Sequence, residues 1–273
     1  MDWGLRNRIA RMFPAASGNS VMLAVDHGYF MGPTRNLENA GATIRPLLAH
    51  ADAIALTRGI LRTSVPPDSM TPIILRVSGG ATILKEDLSD ERITTSMEEA
   101  LRLNVSAVAL SVFVGAPHEH QSLANLAELV DDGESCGMPV LAITAVGKEL
   151  EKRDARYLAL ACRVSAELGA HLVKTYYCDG FSKVVDACPV PVVVAGGPKL
   201  DTVEAAFALA HGAIADGARG IDMGRNIWQS EHPVAMLKAL RAIVHDGATV
   251  REAMQTFTDA STLRAPVVPT APA

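Results

Sequence analysis

Eight short apolar segments recur along the chain, and their spacing constrains the fold more than any other feature. In chain order they begin at Val21, Ala51, Pro72, Ala107, Pro139, His171, Pro191 and Gly220. Consecutive starts lie 20 to 35 residues apart. Each segment is rich in β-branched residues and apolar on both faces, which is typical of a parallel strand covered by helices. The pattern therefore predicts eight parallel strands.

Helical patterns occupy the intervals between these segments. Residues 153–168 place small and apolar side chains on one face of a helix. Residues 201–216 begin with Asp201, which is a suitable N-cap, and residues 232–245 carry Pro233 at a suitable first helical position. Each pattern follows a predicted strand and completes a strand–helix unit.

Eight such units in about 220 residues predict an α/β fold, a single (β/α)8 or TIM barrel. We assign residues 1–260 to this barrel and residues 261–273 to a Pro-rich tail that we expect to be flexible. An extra N-terminal helix, from about Asp2 to Met12, is expected to cover the bottom of the barrel. A doubly wound open sheet is the alternative, but eight regular units without an insertion favour closure.

Composition and charge exclude several classes of protein. The 25 basic and 30 acidic residues give a net charge of −5, which argues against nucleic acid or a membrane surface as a partner. The longest uncharged stretch, Leu103 to Pro117, is too short to span a bilayer, and the charged N-terminus lacks the apolar region of a secretory signal. Four cysteines without CxxC spacing indicate a reducing cytoplasm and no structural zinc.

Glycines follow the seventh and eighth strands, where barrels of this type often bind phosphate. The seventh strand ends in Gly196 and Gly197, and the eighth ends in Gly224 followed by Arg225. Glycine lets backbone N–H groups approach an anion, and a guanidinium binds phosphate through two parallel hydrogen bonds. A tight turn is the alternative reading of one Gly-Gly pair, but the two loops together predict a phosphate site.

Lys174 interrupts the apolar sixth strand and is the strongest candidate for a catalytic group. Desolvation and nearby cations would lower the pKa of its amine, and a neutral amine can attack a carbonyl to form a Schiff base. The alternative is a structural ion pair with a carboxylate of the barrel. Asp26, at the end of the first strand, is a candidate proton shuttle or counter-charge to Lys174. His27 would face the other side of a regular strand and is a weaker candidate.

Three further residues are candidate substrate or coenzyme contacts. Arg58 follows the second strand and Lys148 follows the fifth. Each is a candidate contact for a second anionic group. The alternative is a solvated side chain, which is the usual state of a single basic residue in a loop. Tyr176 shares a face of the sixth strand with Lys174.

The sequence contains one candidate metal site and one candidate thiol nucleophile, and both are supported less strongly than Lys174. His118 and His120 have the spacing of metal ligands, yet no third ligand is evident, so we expect no metal. Cys178 follows the sixth strand and is a possible nucleophile, although a loop thiol is more often inert.

Six segments at strand ends form a combined signature. They are LAVDHGYFMGP (23–33), TRGILR (57–62), EHQS (119–122), VKTYY (173–177), VAGGPK (194–199) and IDMGRNIWQSEHPVAM (221–236). Together they resemble the DeoC/FbaB class I aldolase family over about residues 2–256. The resemblance implies that Lys174 is the Schiff-base lysine and Asp26 an acid of the site. It also implies phosphate binding by the two glycine loops, with Gly196, Gly197, Gly224 and Arg225.

The fifth strand departs from the pattern of the related fructose-bisphosphate aldolases. The resemblance implies a proton-donating tyrosine on this strand. This chain has no tyrosine from Ala142 to Lys148, and Thr144 is a poor general acid. This departure favours a thiolase branch of the family, which cleaves a small phosphorylated dicarbonyl. Such an enzyme would use coenzyme A as co-substrate and no bound cofactor. A class I aldolase acting on a ketose phosphate such as fructose 1,6-bisphosphate is the alternative.

Two rivals from other functional classes stay open at this point. One is a metal-dependent aldolase or isomerase that uses His118 and His120, and the other is a non-catalytic sugar-phosphate sensor. Barrels of the family that the chain resembles assemble into rings, so the resemblance implies a homo-oligomer, such as a decamer.

Overall fold

Eight parallel strands form the centre of the protein in a computed structural model that describes residues 2–145 and 153–262. They are β1 (Ser20–Ala24), β2 (Ala53–Thr57), β3 (Ile73–Arg76), β6 (Ala107–Val112), β7 (Val140–Thr144), β8 (Leu172–Tyr176), β9 (Val192–Ala195) and β10 (Gly220–Met223). Two short strands, β4 (Ser78–Gly79) and β5 (Arg92–Ile93), form a separate antiparallel pair.

The eight parallel strands close into a barrel in the order β1-β10-β9-β8-β7-β6-β3-β2. The two ends of this order meet because β1 pairs with both β10 and β2. The predicted (β/α)8 barrel is therefore confirmed, and the open doubly wound sheet is excluded.

Helices surround the barrel. They are α1 (Trp3–Met12), α2 (Gly28–Met31), α3 (Ala40–Ile44), α4 (Arg58–Ser64), α5 (Met97–Arg102), α6 (Glu119–Cys136), α7 (Ala155–Glu167), α8 (Ser182–Ala187), α9 (Val203–Ala215), α10 (Arg225–Trp228), α11 (Pro233–Asp246) and α12 (Val250–Thr262), with a 3-10 helix at Arg45–His50. Within the described ranges, none of these helices has the length and apolar character needed to cross a membrane.

The predicted N-terminal helix is confirmed as α1, and it packs against the amino end of the barrel. Met12 is fully buried in the same cluster as the inward-facing side chains of the strands, and Ile9 and Phe13 pack against that cluster. The strand residues in this cluster are Met22, Ala53, Ala55, Ile74, Ala107, Ala109, Leu141, Leu172 and Val193. The interior is therefore filled with apolar side chains at the end that α1 covers.

The helix boundaries follow local capping chemistry. Asp154 caps α7 by accepting a hydrogen bond from the Tyr157 amide at 2.7 Å, and α11 begins at Pro233 as predicted. The predicted N-cap Asp201 is wrong by one residue, because the hydroxyl of Thr202 accepts the hydrogen bond from the Ala205 amide at 3.0 Å. An N-cap side chain accepts a hydrogen bond from the backbone amide two or three residues later. The first turn of α9 presents such an amide, that of Ala205, to Thr202.

The amino end of the barrel also carries a buried charge network. Asp52, at the start of β2, lies 2.6 Å from Nη1 of Arg241 and 2.8 Å from Nε2 of His245, both on α11. It also accepts a hydrogen bond from the Val21 amide at 2.8 Å. Burial alone would raise the pKa of Asp52, but the bonds from His245, Arg241 and Val21 outweigh it and lower the pKa. Asp52 thus ties the last barrel helix to the first two strands.

We expect Asp52→Asn to lower the free energy of unfolding by about 2 kcal/mol at pH 7, because Arg241 would lose its carboxylate. A lowered native pKa stabilises the fold above the unfolded value of about 3.9, and that contribution is lost as the pH falls through the native pKa. The difference between wild type and variant should therefore shrink between pH 7 and pH 3 in urea titrations. Asp131→Asn, on an exposed part of α6, is the control and should show no such difference.

Candidate active site

A pocket opens at the carboxyl end of the barrel, where the strand interiors change from apolar to polar. Arg76 and Lys174 each lie two residues beyond an inward-facing position of their strand, and Asp222 is in register with the inward-facing Met22 of β1, so all three side chains face inward. We call this cavity the barrel pocket. Its polar lining consists of Asp26, His27, Tyr29, Arg76, Glu91, Ser111, Thr144, Lys174, Thr175, Tyr176, Gly196, Gly197, Asp222, Gly224 and Arg225.

Lys174 and Asp222 form a buried ion pair in the wall of this pocket. Nζ of Lys174 lies 2.7 Å from Oδ2 of Asp222, and the two residues are 8% and 1% exposed. Burial raises the pKa of Asp222, and the nearby Lys174 offsets this only in part. The sequence predicts Asp26 as a proton shuttle or as the counter-charge to Lys174, but the ion-pair partner of Lys174 is Asp222. Asp222 interrupts an apolar strand as Lys174 does, so the rule that found the lysine also applies to this carboxylate.

Asp26 instead belongs to a second charged cluster around Arg76. Nη1 of Arg76 lies 3.5 Å from Oδ2 of Asp26, and Nη2 lies 3.2 Å from Oε2 of Glu91. Nη2 also donates to the hydroxyls of Tyr29 and Ser111. Burial would raise the pKa of Asp26, but Arg76, Lys174 and His27 together lower it, so the carboxylate is charged at neutral pH.

His27 reaches the barrel pocket because the chain leaves β1 at Ala24 and turns into the short helix α2. Its Nδ1 lies 3.9 Å from Oδ1 of Asp26, and its ring meets the Trp228 ring edge-on at 5.4 Å. Burial lowers the pKa of His27 to about 4, and Asp26 opposes this only partly. The imidazole is therefore neutral at pH 7, and its Nδ1 has no hydrogen-bond partner among the described residues.

The two glycine loops lie side by side, as the sequence predicts. Gly197 adopts a φ of +66°, which favours glycine, and a Cβ at Gly224 would lie 2.5 Å from the carbonyl oxygen of Ala24. Asn226 joins the loops, because its Nδ2 donates to the Gly196 carbonyl at 2.9 Å and its Oδ1 accepts from the Leu200 amide at 2.8 Å.

Two arginines lie close to these loops. Arg225 is the first residue of α10, and burial together with the neighbouring charge of Arg153 lowers the pKa of its guanidinium. Arg153 stacks on the Tyr176 ring at 3.8 Å, and its Nη1 lies 3.5 Å from where a Cβ of Gly197 would be. In the part of the chain described, the Nε atoms of both arginines are buried without a hydrogen-bond partner. Two adjacent guanidiniums with unused donors form a site suited to an anion.

The sequence analysis missed Arg153, Arg76 and Glu91. Arg76 interrupts the third predicted strand, so strand periodicity contained a signal for it. Arg153 and Glu91 lie in loops far along the chain from the residues they meet, and no local pattern marks them.

The β7 strand supplies no acid to the pocket interior from the residues described. The inward side chains of this strand are the apolar Leu141 and Ile143. The hydroxyl of Thr144 donates to Oγ1 of Thr175 at 2.8 Å, so it is engaged with the neighbouring strand. The proton-donating tyrosine that is missing from the sequence is thus not replaced on β7 by another acid.

Two other sequence candidates, Arg58 and Cys178, do not line the barrel pocket. Arg58 is exposed at the start of α4 and lines an adjoining groove, and Lys148 lies outside the described residues. Burial, with nearby Asp154, Asp179 and Asp216, raises the pKa of the Cys178 thiol, which disfavours a thiolate.

The two candidate metal ligands, His118 and His120, do not line the barrel pocket either. His118 is exposed and lies 3.6 Å from Oδ2 of Asp87, while His120 lines a shallow groove between α6 and α7. Within residues 2–145 and 153–262, no three histidine, cysteine, aspartate or glutamate side chains form a cluster that could hold a metal ion.

A barrel with a buried strand lysine beside carboxylates and a paired glycine loop is the framework of an aldolase-type enzyme. Residues 20–230 match the model of the family described as DeoC/LacD family aldolase, and the chain belongs to this family.

Relatives and solved structures agree with this assignment. The chain is 50% identical over 258 residues to the 3-hydroxy-5-phosphonooxypentane-2,4-dione thiolase of Escherichia coli (strain K12), covering 94% of this chain and 88% of that one. It is 53% identical to the thiolase of the same name from Enterobacter sp. (strain 638), covering 93% and 86% of the two chains. An archaeal fructose 1,6-bisphosphate aldolase superposes with a TM-score of 0.80 at 30% identity, covering 89% and 100%.

The Lys174–Asp222 pair predicts a pH-dependent response to its disruption. In Lys174→Met, Asp222 loses its cation, so the native pKa of Asp222 rises further and deprotonation opposes folding. A raised native pKa means that stability is retained below the unfolded pKa of about 3.9 and lost as the pH rises above it. We therefore expect the variant to lose about 3 kcal/mol more than wild type between pH 5 and pH 8.

The double variant Lys174→Met/Asp222→Asn is the control for this measurement. It lacks the Asp222 carboxylate as well as its cation, so it should lose much less free energy of unfolding in urea between pH 5 and pH 8 than Lys174→Met does. A pH response of the double variant equal to that of Lys174→Met would show that another group causes it.

Proposed function

We propose that this chain is a Schiff-base-forming thiolase that acts in autoinducer-2 degradation. It cleaves 3-hydroxy-5-phosphonooxypentane-2,4-dione with coenzyme A to dihydroxyacetone phosphate and acetyl-CoA. The observation that carries the proposal is the buried Lys174–Asp222 pair, 2.7 Å apart, beside the glycine loops. Support for the substrate comes from relatives about 50% identical over 94% of the chain, which bear that enzyme's name.

The glycine loops and the two arginines hold the substrate phosphate in this proposal. Backbone N–H groups at Gly196, Gly197 and Gly224 approach the phosphate oxygens, and Arg225 and Arg153 supply the counter-charge. A phosphate anchored there restrains the rest of the substrate against Lys174.

Lys174 then attacks the C4 ketone next to the phosphate-bearing carbon. Attack requires the neutral amine, and Asp222 at 2.7 Å is placed to take the proton from Nζ. Because burial raises the pKa of Asp222, its carboxyl group can hold that proton. Loss of water leaves an iminium at C4, which withdraws electrons from the adjacent C3.

Thiolysis breaks the C2–C3 bond. The coenzyme A sulfur bonds to C2, the C2–C3 electron pair passes through C3 into the iminium to give an enamine, and C2 leaves as acetyl-CoA. The thiol proton is balanced by protonation at C3, and water then hydrolyses the imine to release dihydroxyacetone phosphate. Neutral His27 and charged Asp26, 3.9 Å apart, are placed to carry this proton.

A class I aldolase is the second candidate function. Its support is the likeness to an archaeal fructose 1,6-bisphosphate aldolase at 30% identity and a TM-score of 0.80. An aldolase needs an acid–base group that takes the proton from the substrate hydroxyl as the aldehyde forms and returns it in the condensation direction, whereas thiolysis adds a thiol to a ketone and releases a thioester, so no aldehyde is formed. The lack of a replacement acid on the described part of β7 therefore favours the thiolase. Products distinguish the two, because only the thiolase makes acetyl-CoA.

The remaining features of the proposal concern the setting of the reaction. Coenzyme A serves as co-substrate, and the chemistry described requires no resident cofactor. We place the enzyme in the cytoplasm, where its four free cysteines would stay reduced. We also propose a homo-oligomer, in the form of a ring such as a decamer, which analytical ultracentrifugation would test.

Reductive trapping tests the imine directly. Incubation with dihydroxyacetone phosphate and borohydride should give a stable adduct that peptide mass spectrometry maps to Lys174. Lys174→Met should form no adduct and lose acetyl-CoA formation by about a thousandfold or more, because Lys174 is the lysine that lines the barrel pocket among the described residues. Lys183→Met, at an exposed position on α8, is the matched control and should retain both activities. Normal turnover by Lys174→Met would refute the proposed mechanism.

The phosphate site gives a separate prediction. Arg153→Ala and Arg225→Ala should each raise KM for the phosphorylated substrate about 10- to 100-fold, because each removes a charge-assisted hydrogen bond. Inhibition by inorganic phosphate should weaken in parallel. Arg156→Ala, on the exposed side of α7, is the control. An unchanged KM in both site variants would place the phosphate elsewhere.

A further inference from the structure

A groove adjoins the barrel pocket on the side of β1, β2 and β3. The loops that follow these three strands line it, and we call it the side groove. Asp26, Tyr29 and Arg76 line both the side groove and the barrel pocket, so the two cavities share a wall. The mechanism described above does not use the rest of this groove.

Barrel topology places the β3 end of the side groove across the pocket from the first glycine loop. In the closed strand order, β3 lies four strands from β9, which is half of an eight-stranded barrel, so these two strands face one another. The second glycine loop follows β10, which pairs with β1, so the β1 end of the side groove lies beside that loop. The side groove therefore runs from the edge of the phosphate site at β1 to the far side of the pocket at β3.

The order of atoms in the proposed substrate then fixes where a thiol must enter. The phosphate lies on C5 and the imine forms at C4, so C3 and C2 extend away from the glycine loops. The carbonyl that the thiol attacks, C2, therefore lies toward the far side of the pocket, where β3 carries Arg76. A co-substrate that reaches C2 without displacing the phosphate has to approach from the side-groove wall.

The side groove has room for a long ligand and one exposed cation at its rim. A Cβ at Gly28, Gly32 or Gly59 would meet nothing within 4 Å, so the groove is open at these glycines. Arg58 is exposed at the rim and makes no hydrogen bond or ion pair within the described ranges, and Glu38 is an exposed carboxylate of the same lining. At the inner wall Arg76 is paired with Asp26 and Glu91, so this wall is polar without a net positive charge.

We propose that the side groove binds coenzyme A, with the thiol at the Asp26–Arg76 wall and the phosphate groups toward Arg58. This inference rests on the proposed thiolase function. In the reaction, the thiol sulfur approaches C2 from the side where the groove and the pocket adjoin. The thiol proton passes to Asp26 or His27 as the S–C2 bond forms.

Filling the groove tests the proposal without touching Lys174. Gly59 has open space around it and lies outside the left-handed region of φ, so Gly59→Leu adds volume in the groove without backbone strain. We expect KM for coenzyme A to rise by about tenfold or more, while the borohydride adduct with dihydroxyacetone phosphate forms at the wild-type rate. Thr63→Leu places the same side chain at an exposed position of α4 outside the groove and is the matched control.

Replacing Arg58 tests the proposed orientation of coenzyme A, with its phosphate groups at the rim of the side groove. Arg58→Ala should lower kcat/KM for coenzyme A by about tenfold but leave kcat/KM for pantetheine, which lacks the phosphates, nearly unchanged. Arg58→Lys should restore part of the loss, and Arg251→Ala on α12 controls for the overall charge. Equal losses with both thiols would overturn the assignment of Arg58 to the phosphates.

Direct binding separates failure of this proposal from failure of the thiolase function. Titration calorimetry with coenzyme A should show binding to wild type and binding about tenfold weaker or more for Gly59→Leu. If wild type forms the borohydride adduct and binds coenzyme A but makes no acetyl-CoA, the thiolase function fails while the groove assignment stands. If coenzyme A does not bind, or binds Gly59→Leu as well as wild type, the groove assignment is wrong.

Discussion

The buried contact between Lys174 and Asp222 is the interaction on which the site depends. A charged amine inside a barrel is strongly disfavoured without a partner, and a carboxylate 2.7 Å away makes the arrangement possible. Lys174 follows the buried Leu172 on β8, and Asp222 lies in register with the buried Met22 of β1, so both side chains stand on the packed apolar interior. The same burial that requires the pair also raises the pKa of Asp222, which gives the lysine a nearby proton acceptor.

The pocket separates charge between its two sides. Arg153 and Arg225 lie beside the glycine loops with unused donors, and no carboxylate pairs with either in the residues described. On the opposite side, Arg76 is neutralised by Asp26 and Glu91. An anionic end of a substrate is therefore attracted to one side only. Such an arrangement orients a small asymmetric substrate along a single direction before any chemistry begins.

Strand periodicity predicted the barrel because its strands are buried on both faces and are therefore mostly apolar. Charged residues interrupt these apolar runs at the pocket. Lys174 stands out for this reason, and Asp222 and Arg76 could have been found by the same rule. The error at Asp201 has a local cause, since two adjacent residues can both cap a helix and only the backbone geometry selects Thr202. Glu91 and Arg153 lie in loops, where no periodic pattern distinguishes a pocket residue from a solvated one.

The sequence by itself determined the number of strands, the N-terminal helix, the glycine loops and the lysine. These features depend on residue type and spacing within a few tens of residues, and such patterns are visible along a chain. Only the tertiary structure decided which carboxylate meets Lys174, since Asp26 and Asp222 both end up near it. The choice depends on barrel closure, which brings β10 beside β1 and directs Asp26 to Arg76. Pairing of charges distant in sequence is a property of the closed barrel, because distances across its interior exist only after all eight strands have joined.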